Sequence, residues 1–118
     1  MVVLGVFVAL ASACNAASPS IEEFTAMADA VCADYTTKIA AAEAAGEDLL
    51  PLQVAMLQGV VELPRPTEQP PALKRVLAAL DISAERAAAR PDRGFRGEPV
   101  TIEDIDAAGF KICGARDN

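Results

Sequence analysis

At 118 residues the chain holds one domain, with no room for a second core. Hydrophobic residues make up 53% of it and aromatics only 4%, with no Trp, which argues against disorder and favours helices meeting through small side chains over a sheet. The net charge of −7 argues against nucleic acid as a partner, because phosphate binding needs a basic footprint. The charge is also unevenly placed. Residues 20–62 carry eight acids against the single base Lys38, whereas residues 63–97 carry seven bases against four acids. Complementary halves of one chain are expected to attract each other across the fold; a basic face for a partner is the alternative.

Residues 2–13 are an uncharged apolar run, too short for a membrane span of about twenty residues and of the right length for the apolar region of a signal peptide. Ala11-Ser12-Ala13 satisfies the small-x-small cleavage pattern and Cys14 follows at once. This arrangement resembles a bacterial lipobox, in which the cysteine is acylated and becomes the first mature residue. Residues 1–13 are therefore expected to be removed, Cys14 to carry a lipid, and residues 14–20, small and polar with Pro19, to form a tether. Ordinary cleavage that leaves Cys14 as a free thiol is the alternative.

The domain proper is expected over residues 21–118. Ser20 and Glu23 form a capping box. Phe24, Met27, Ala28, Val31, Tyr35 and Ile39 then recur at helical spacing, with Cys32 beside the stripe, and Gly46 supplies a left-handed stop. The first helix is thus expected at 21–45. Asp48 is a cap for a second helix, with Pro51 in its first turn and Leu50, Val54, Leu57, Val60 and Val61 as its apolar face. Gly59 weakens that helix near its end.

Prolines at 64, 66, 70 and 71 make a stiff connector. It reads as packing between two helices in preference to a ligand for a proline-reading domain. A third helix is expected at 71–90 on the stripe Leu73, Val76, Leu77, Leu80, Ala84, Ala87 and Ala88. Asp81 and Glu85 lie on its solvated side, Ile82 falls off the stripe, and Arg86 and Arg90 suit its negative end. Residues 91–99 read as a loop with Phe95 folding back onto the core. Thr101 caps a short helix that Gly109 closes, with Phe110 placed for the accompanying apolar contact.

Three cysteines in an exported chain leave one odd member. If Cys14 is acylated, Cys32 and Cys113 remain, and an oxidising compartment would join them; two buried thiols acting as small hydrophobes are the alternative. With these residues in view the chain resembles the small exported lipoproteins of bacteria, helical proteins of uncharacterised function. The likeness rests on Ala11-Ser12-Ala13-Cys14, on Phe24 through Cys32, on the proline-rich turn before Leu73 and on Gly109 through Cys113. It implies an anchor and a disulfide, and no activity.

Signs of chemistry are sparse. There is no His, no C-x-x-C, no G-x-S-x-G and no S-x-x-K. Glu22/Glu23 and Asp104/Asp106 read as helix-end and solvated-face charge rather than as a catalytic or metal-binding set, and Gly94 and Gly97 make no phosphate loop. No metal, cofactor or catalytic residue is expected. The sequence thus predicts an all-α fold, an up-down bundle of three main helices and a short fourth, stapled by Cys32–Cys113. The function expected is that of a non-enzymatic interaction or structural module, held on the extracytoplasmic side of a bacterial envelope membrane through Cys14. A soluble exported protein binding a small apolar ligand between its helices is the alternative.

Overall fold

The computed structural model of the protein describes residues 18–91 and 94–113. These form four helices and no strand: α1 Ile21–Ala44, α2 Leu50–Val61, α3 Pro71–Ala89 and α4 Ile102–Ala108. Helix α1 packs on α2, α2 on α3, and α3 on α4. No described helix is long and apolar enough to cross a membrane.

The helix ends follow from local chemistry. Ser20 Oγ accepts from Glu23 N–H at 3.0 Å while the Glu23 carboxylate accepts from Ser20 N–H at 2.9 Å, the reciprocal capping box. These bonds hold the Glu23 carboxyl below its ordinary value. Helix α1 stops at Gly46, whose φ of 73° suits a residue without Cβ; Glu47 N–H then returns to the Ala42 carbonyl at 2.9 Å. Asp48, the expected cap of α2, lies one residue too early: the N-cap is Leu49, without a side-chain cap, and Asp48 Oδ1 accepts from Leu50 N–H at 3.1 Å. Thr101 caps α4 through Asp104 N–H at 3.1 Å. Gly109, at φ 103°, turns the chain so that Phe110 N–H reaches the Ile105 carbonyl at 3.2 Å.

The core gathers Phe24, Ala28 and Cys32 of α1, Val60 of α2, Leu73, Val76 and Leu77 of α3, then Ala108 and Phe110. Phe24 and Leu73 are fully buried, and the Phe24 and Phe110 rings meet edge to face at 6.2 Å and 72°. Only the first three turns of α1 serve this core; Tyr35 and Ile39 on the expected stripe are half-buried. The reason is length. Helix α1 has 24 residues and α2 has 12, so at about 1.5 Å per residue the shorter helix cannot cover the longer one. Lys38 shields the Tyr35 ring instead, its ammonium 4.7 Å from the centroid.

Gly59 has a reason beyond weak helix propensity. A Cβ there would meet Val31 Cγ1 at 3.1 Å, so the missing side chain lets α2 approach α1 closely. The proline connector packs as well: Pro66 is buried, and Thr67 Oγ1 donates to Ser18 Oγ at 2.7 Å. Ser18 of the expected tether thus lies against the connector.

The charge expectation is overturned among the described residues. Lys38 pairs with Asp34 at 3.0 Å within the acidic part. Arg65 pairs with Asp81, Arg75 with Asp104 and Arg86 with Glu98, all within or C-terminal to the basic part. Helices α1 and α2 pack together, as do α3 and α4, so each arginine takes the carboxylate its own neighbourhood offers. Asp81 and Asp104 are accordingly not the solvated charges their helix positions suggested. Ile82 is half-buried.

Arg65 grips Asp81 through two hydrogen bonds, at 2.6 and 3.0 Å, and Arg75 grips Asp104 at 2.7 and 2.8 Å. These bonds hold both carboxyls below their usual range. A carboxyl lowered in the folded state contributes stability that is complete above its unfolded value and is lost as pH falls through the lowered one. These pairs are therefore expected to leave the urea midpoint unchanged between neutral pH and about pH 5, where their contribution is complete, and to lower it below about pH 4. In an Asp81→Asn, Asp104→Asn double variant the acid decline should be shallower; an unchanged decline would remove both pairs from the acid response.

Candidate functional site

Residue Cys14, the expected lipid site, lies outside the described residues. Cys32 and Cys113 are joined in a disulfide, Cα to Cα 5.3 Å across a sequence separation of 81. Closing a loop of that length stabilises the folded state by roughly 4 kcal/mol on chain-entropy grounds, an upper-end figure. Cys113 Sγ also lies 3.1 Å from the Ala28 carbonyl; a bridged sulfur has no proton to give, so this is a packing contact.

Beside the bridge stands Asp29, which the sequence reading passed over. It lies in α1, buried at 9% exposure. Its Oδ2 accepts from Lys111 N–H at 3.0 Å, and its Oδ1 accepts from Ile112 and Cys113 N–H at 3.0 and 2.9 Å. A buried carboxylate left alone would cost several kcal/mol. Here three backbone donors with no helix to satisfy them surround it, and charge-assisted bonds fix the chain end on α1. One signal was present in the sequence: an acid within the apolar stripe, three residues before Cys32 and so on the same helix face.

The disulfide is also one wall of a half-open cleft of about 390 Å³. Met56, Leu57 and Val60 of α2 and Val76, Ala79 and Leu80 of α3 form the facing walls; Phe95, Val100, Ile105 and Phe110 close the remainder. The size lies at the lower end of the range of small-molecule pockets, about 300–1,000 Å³. Phe95 thus folds back as expected, but onto the rim of a cleft rather than into a filled core.

One serine positions that rim. Ser83, buried in α3, donates to the Ala79 carbonyl at 2.8 Å and accepts from Glu98 N–H at 2.8 Å. Arg86, one turn on, donates to the Arg96 carbonyl at 3.2 Å and pairs with Glu98 Oε1 at 3.0 Å. Together they hold residues 96–98 against α3, which places Glu98 at the cleft. No known protein family, curated protein or solved structure matches this chain.

In chemical terms the cleft offers apolar surface with a few polar atoms. Its one serine hydroxyl, Ser83, gives its proton to the Ala79 carbonyl and accepts from Glu98 N–H. Among the described residues no cluster of three His, Cys, Asp or Glu side chains is placed to hold a metal ion.

Asp29 gives this region its test. Asp29→Ala should lower stability by about 3 kcal/mol, since it leaves three backbone donors unpaired. Asp29→Asn should lose about half as much, because one oxygen survives while an amide faces the remaining donor. Urea midpoints of the oxidised proteins measure both; equal midpoints for Asp29→Ala and the parent would show the clamp to be idle.

Proposed function

We propose that this chain is an exported, non-enzymatic binding protein that holds a small apolar molecule between its helices, tethered to an envelope membrane by a lipid on Cys14. The observation that carries the reading is the 390 Å³ apolar cleft walled by α2, α3 and the Cys32–Cys113 bridge. Water inside such a cleft finds few hydrogen-bond partners, so an apolar guest gains by displacing it. A solid interior would have spoken against ligand binding; a preformed opening speaks for it. The commitment of the Ser83 proton to the Ala79 carbonyl supports binding without chemistry.

Export is supported by the joined cysteines, since structural disulfides persist in oxidising compartments. It is supported as well by the apolar run and Ala11-Ser12-Ala13 before Cys14. The resemblance to small exported bacterial lipoproteins supplies the anchor, which needs more than one acyl chain for stable attachment. We infer as well that the helices form an up-down bundle: sequential packing of α1 on α2, α2 on α3 and α3 on α4 supports it.

N-phenyl-1-naphthylamine, whose fluorescence rises in apolar surroundings, is expected to bind the purified full chain saturably. Ala79, which lines the cleft and is buried, is the place to fill it. Ala79→Phe should weaken probe binding about tenfold or more while changing stability by only about 1–3 kcal/mol. No saturable signal from the parent, or full binding by the filled variant, would remove the cleft as a ligand site. The anchor has a separate measurement. Mass spectrometry of the membrane fraction should find a mature chain beginning at an acylated Cys14, and a lipid-free mature terminus would leave a soluble exported binder.

A further inference from the structure

The bridged cysteines are also residues of the cleft wall. Cys32 of α1 and Cys113 beyond α4 both line it, with Ile105 and Phe110 beside them, and their bond spans 81 positions of the chain. Two thiol sulfurs stand at van der Waals separation, farther apart than two bonded ones. Opening the bridge must therefore move the wall at Cys32, at Cys113 or at both, and a guest packed against that wall loses contacts as it moves.

The segment that carries Cys113 has a hold that does not depend on the bridge. The hydrogen bonds from Lys111, Ile112 and Cys113 N–H to Asp29 involve no sulfur, and neither does the Phe24–Phe110 contact. The Ala28 carbonyl stands 3.1 Å from Cys113 Sγ, so a thiol formed there finds an acceptor in place. Asp29 lies one helical turn before Cys32, on the same face of α1. The clamp thus keeps the backbone of Cys113 beside the helix that carries its partner, and two thiols held near each other close a bridge at high effective concentration.

We infer that the Cys32–Cys113 pair is a reversible thiol–disulfide switch on the cleft. Joined, it holds the wall against the ligand. Reduced by a dithiol, it lets the wall part and the ligand leave, while the Asp29 clamp keeps the pair placed to close again. The inference rests on the cleft being a ligand site. In the reducing step a thiolate of the dithiol attacks one sulfur of the bridge and forms a mixed disulfide; the other sulfur leaves as a thiolate and takes up a proton. The second thiol of the reductant loses its proton and attacks the mixed disulfide. That closes the reductant's own disulfide and frees the remaining cysteine, which is protonated in turn. Two electrons and two protons pass from the dithiol to the pair. Attack of a cysteine thiolate on an added disulfide runs the exchange backwards and restores the wall.

The test uses the purified full chain carrying Cys14→Ser, so that this pair alone exchanges. N-phenyl-1-naphthylamine should bind the chain reduced by dithiothreitol about tenfold more weakly than the oxidised chain, and glutathione disulfide, added once the reductant is removed, should restore the affinity. Far-UV circular dichroism should show the helices kept in the reduced chain. By linkage, saturating probe should raise the ratio of reduced to oxidised dithiothreitol needed for half reduction by the same factor, about tenfold. Asp29→Asn should slow the return of the bridge under glutathione disulfide by about threefold or more. Equal probe affinity of the reduced and oxidised chains, or a reduced chain without its helices, would overturn the switch while leaving the cleft as a ligand site. Return of the bridge at the parent rate in Asp29→Asn would overturn the part given to the clamp. Failure of the probe to bind the oxidised chain would overturn the ligand site itself, and the switch with it.

Discussion

The tie between the middle of α1 and the last described residues is the constraint on which the rest of the structure depends. The core is thinly provided with large side chains: among the described residues only Phe24 and Leu73 are both large and fully buried, and alanines fill much of the remaining contact. Each buried alanine removes little apolar area from water, so hydrophobic gain per ordered residue is low. A covalent closure acts on the other side of the balance by restricting the unfolded chain. The Cys32–Cys113 bridge and the Asp29 clamp act at one place, the bridge on the side chain of Cys113 and the clamp on its backbone N–H. The segment they hold carries Phe110 into the core against Phe24. Without that hold the core would lose one of its few aromatic contacts.

The same economy of side chains produces the cleft. Where α2 faces α3, Ala79 and Ser83 present small surfaces, and the larger groups that could fill the gap, Phe95 and Val100, sit at its edge. Their placement follows from Ser83, whose hydroxyl joins α3 to the backbone of the loop at Glu98. A bulkier apolar residue at 83 would remove this hydrogen-bonded bridge, and the loop would lose its register against α3. The opening is thus a consequence of how the loop is anchored.

Helix boundaries were legible in the sequence because they are set locally. The capping box at Ser20 and Glu23, the left-handed glycines at 46 and 109, and Thr101 ahead of α4 all act within a few residues. The cysteine pairing was legible too, by accounting rather than by geometry. What escaped was whatever depended on distant partners. Asp29 meets donors 82 to 84 residues away, Arg65 meets Asp81 16 residues on, and Gly59 faces Val31. Periodicity says which face of a helix is buried and nothing of what lies opposite. A cleft is harder still, because it is a shortfall of volume shared among several elements and no single segment records it. The attraction expected between acidic and basic halves failed for the same reason: a sum over a stretch of sequence ignores which charges the fold brings within reach.

The stapled core and the cleft meet in this arrangement because they use the same residues. Cys32, Cys113 and Phe110 belong at once to the stapled core and to the wall of the cleft, so the site exists only while the staple holds. Coupling of this kind runs both ways. A ligand that recognises only the folded wall stabilises the fold by mass action, about 2.7 kcal/mol at a concentration one hundred times its dissociation constant. That is comparable with the roughly 4 kcal/mol attributed to the loop closure. In a domain with so few large buried side chains, an occupied cleft would thus rank beside the disulfide as a source of stability. The small side chains that leave the cleft open are what make its occupant matter to the fold.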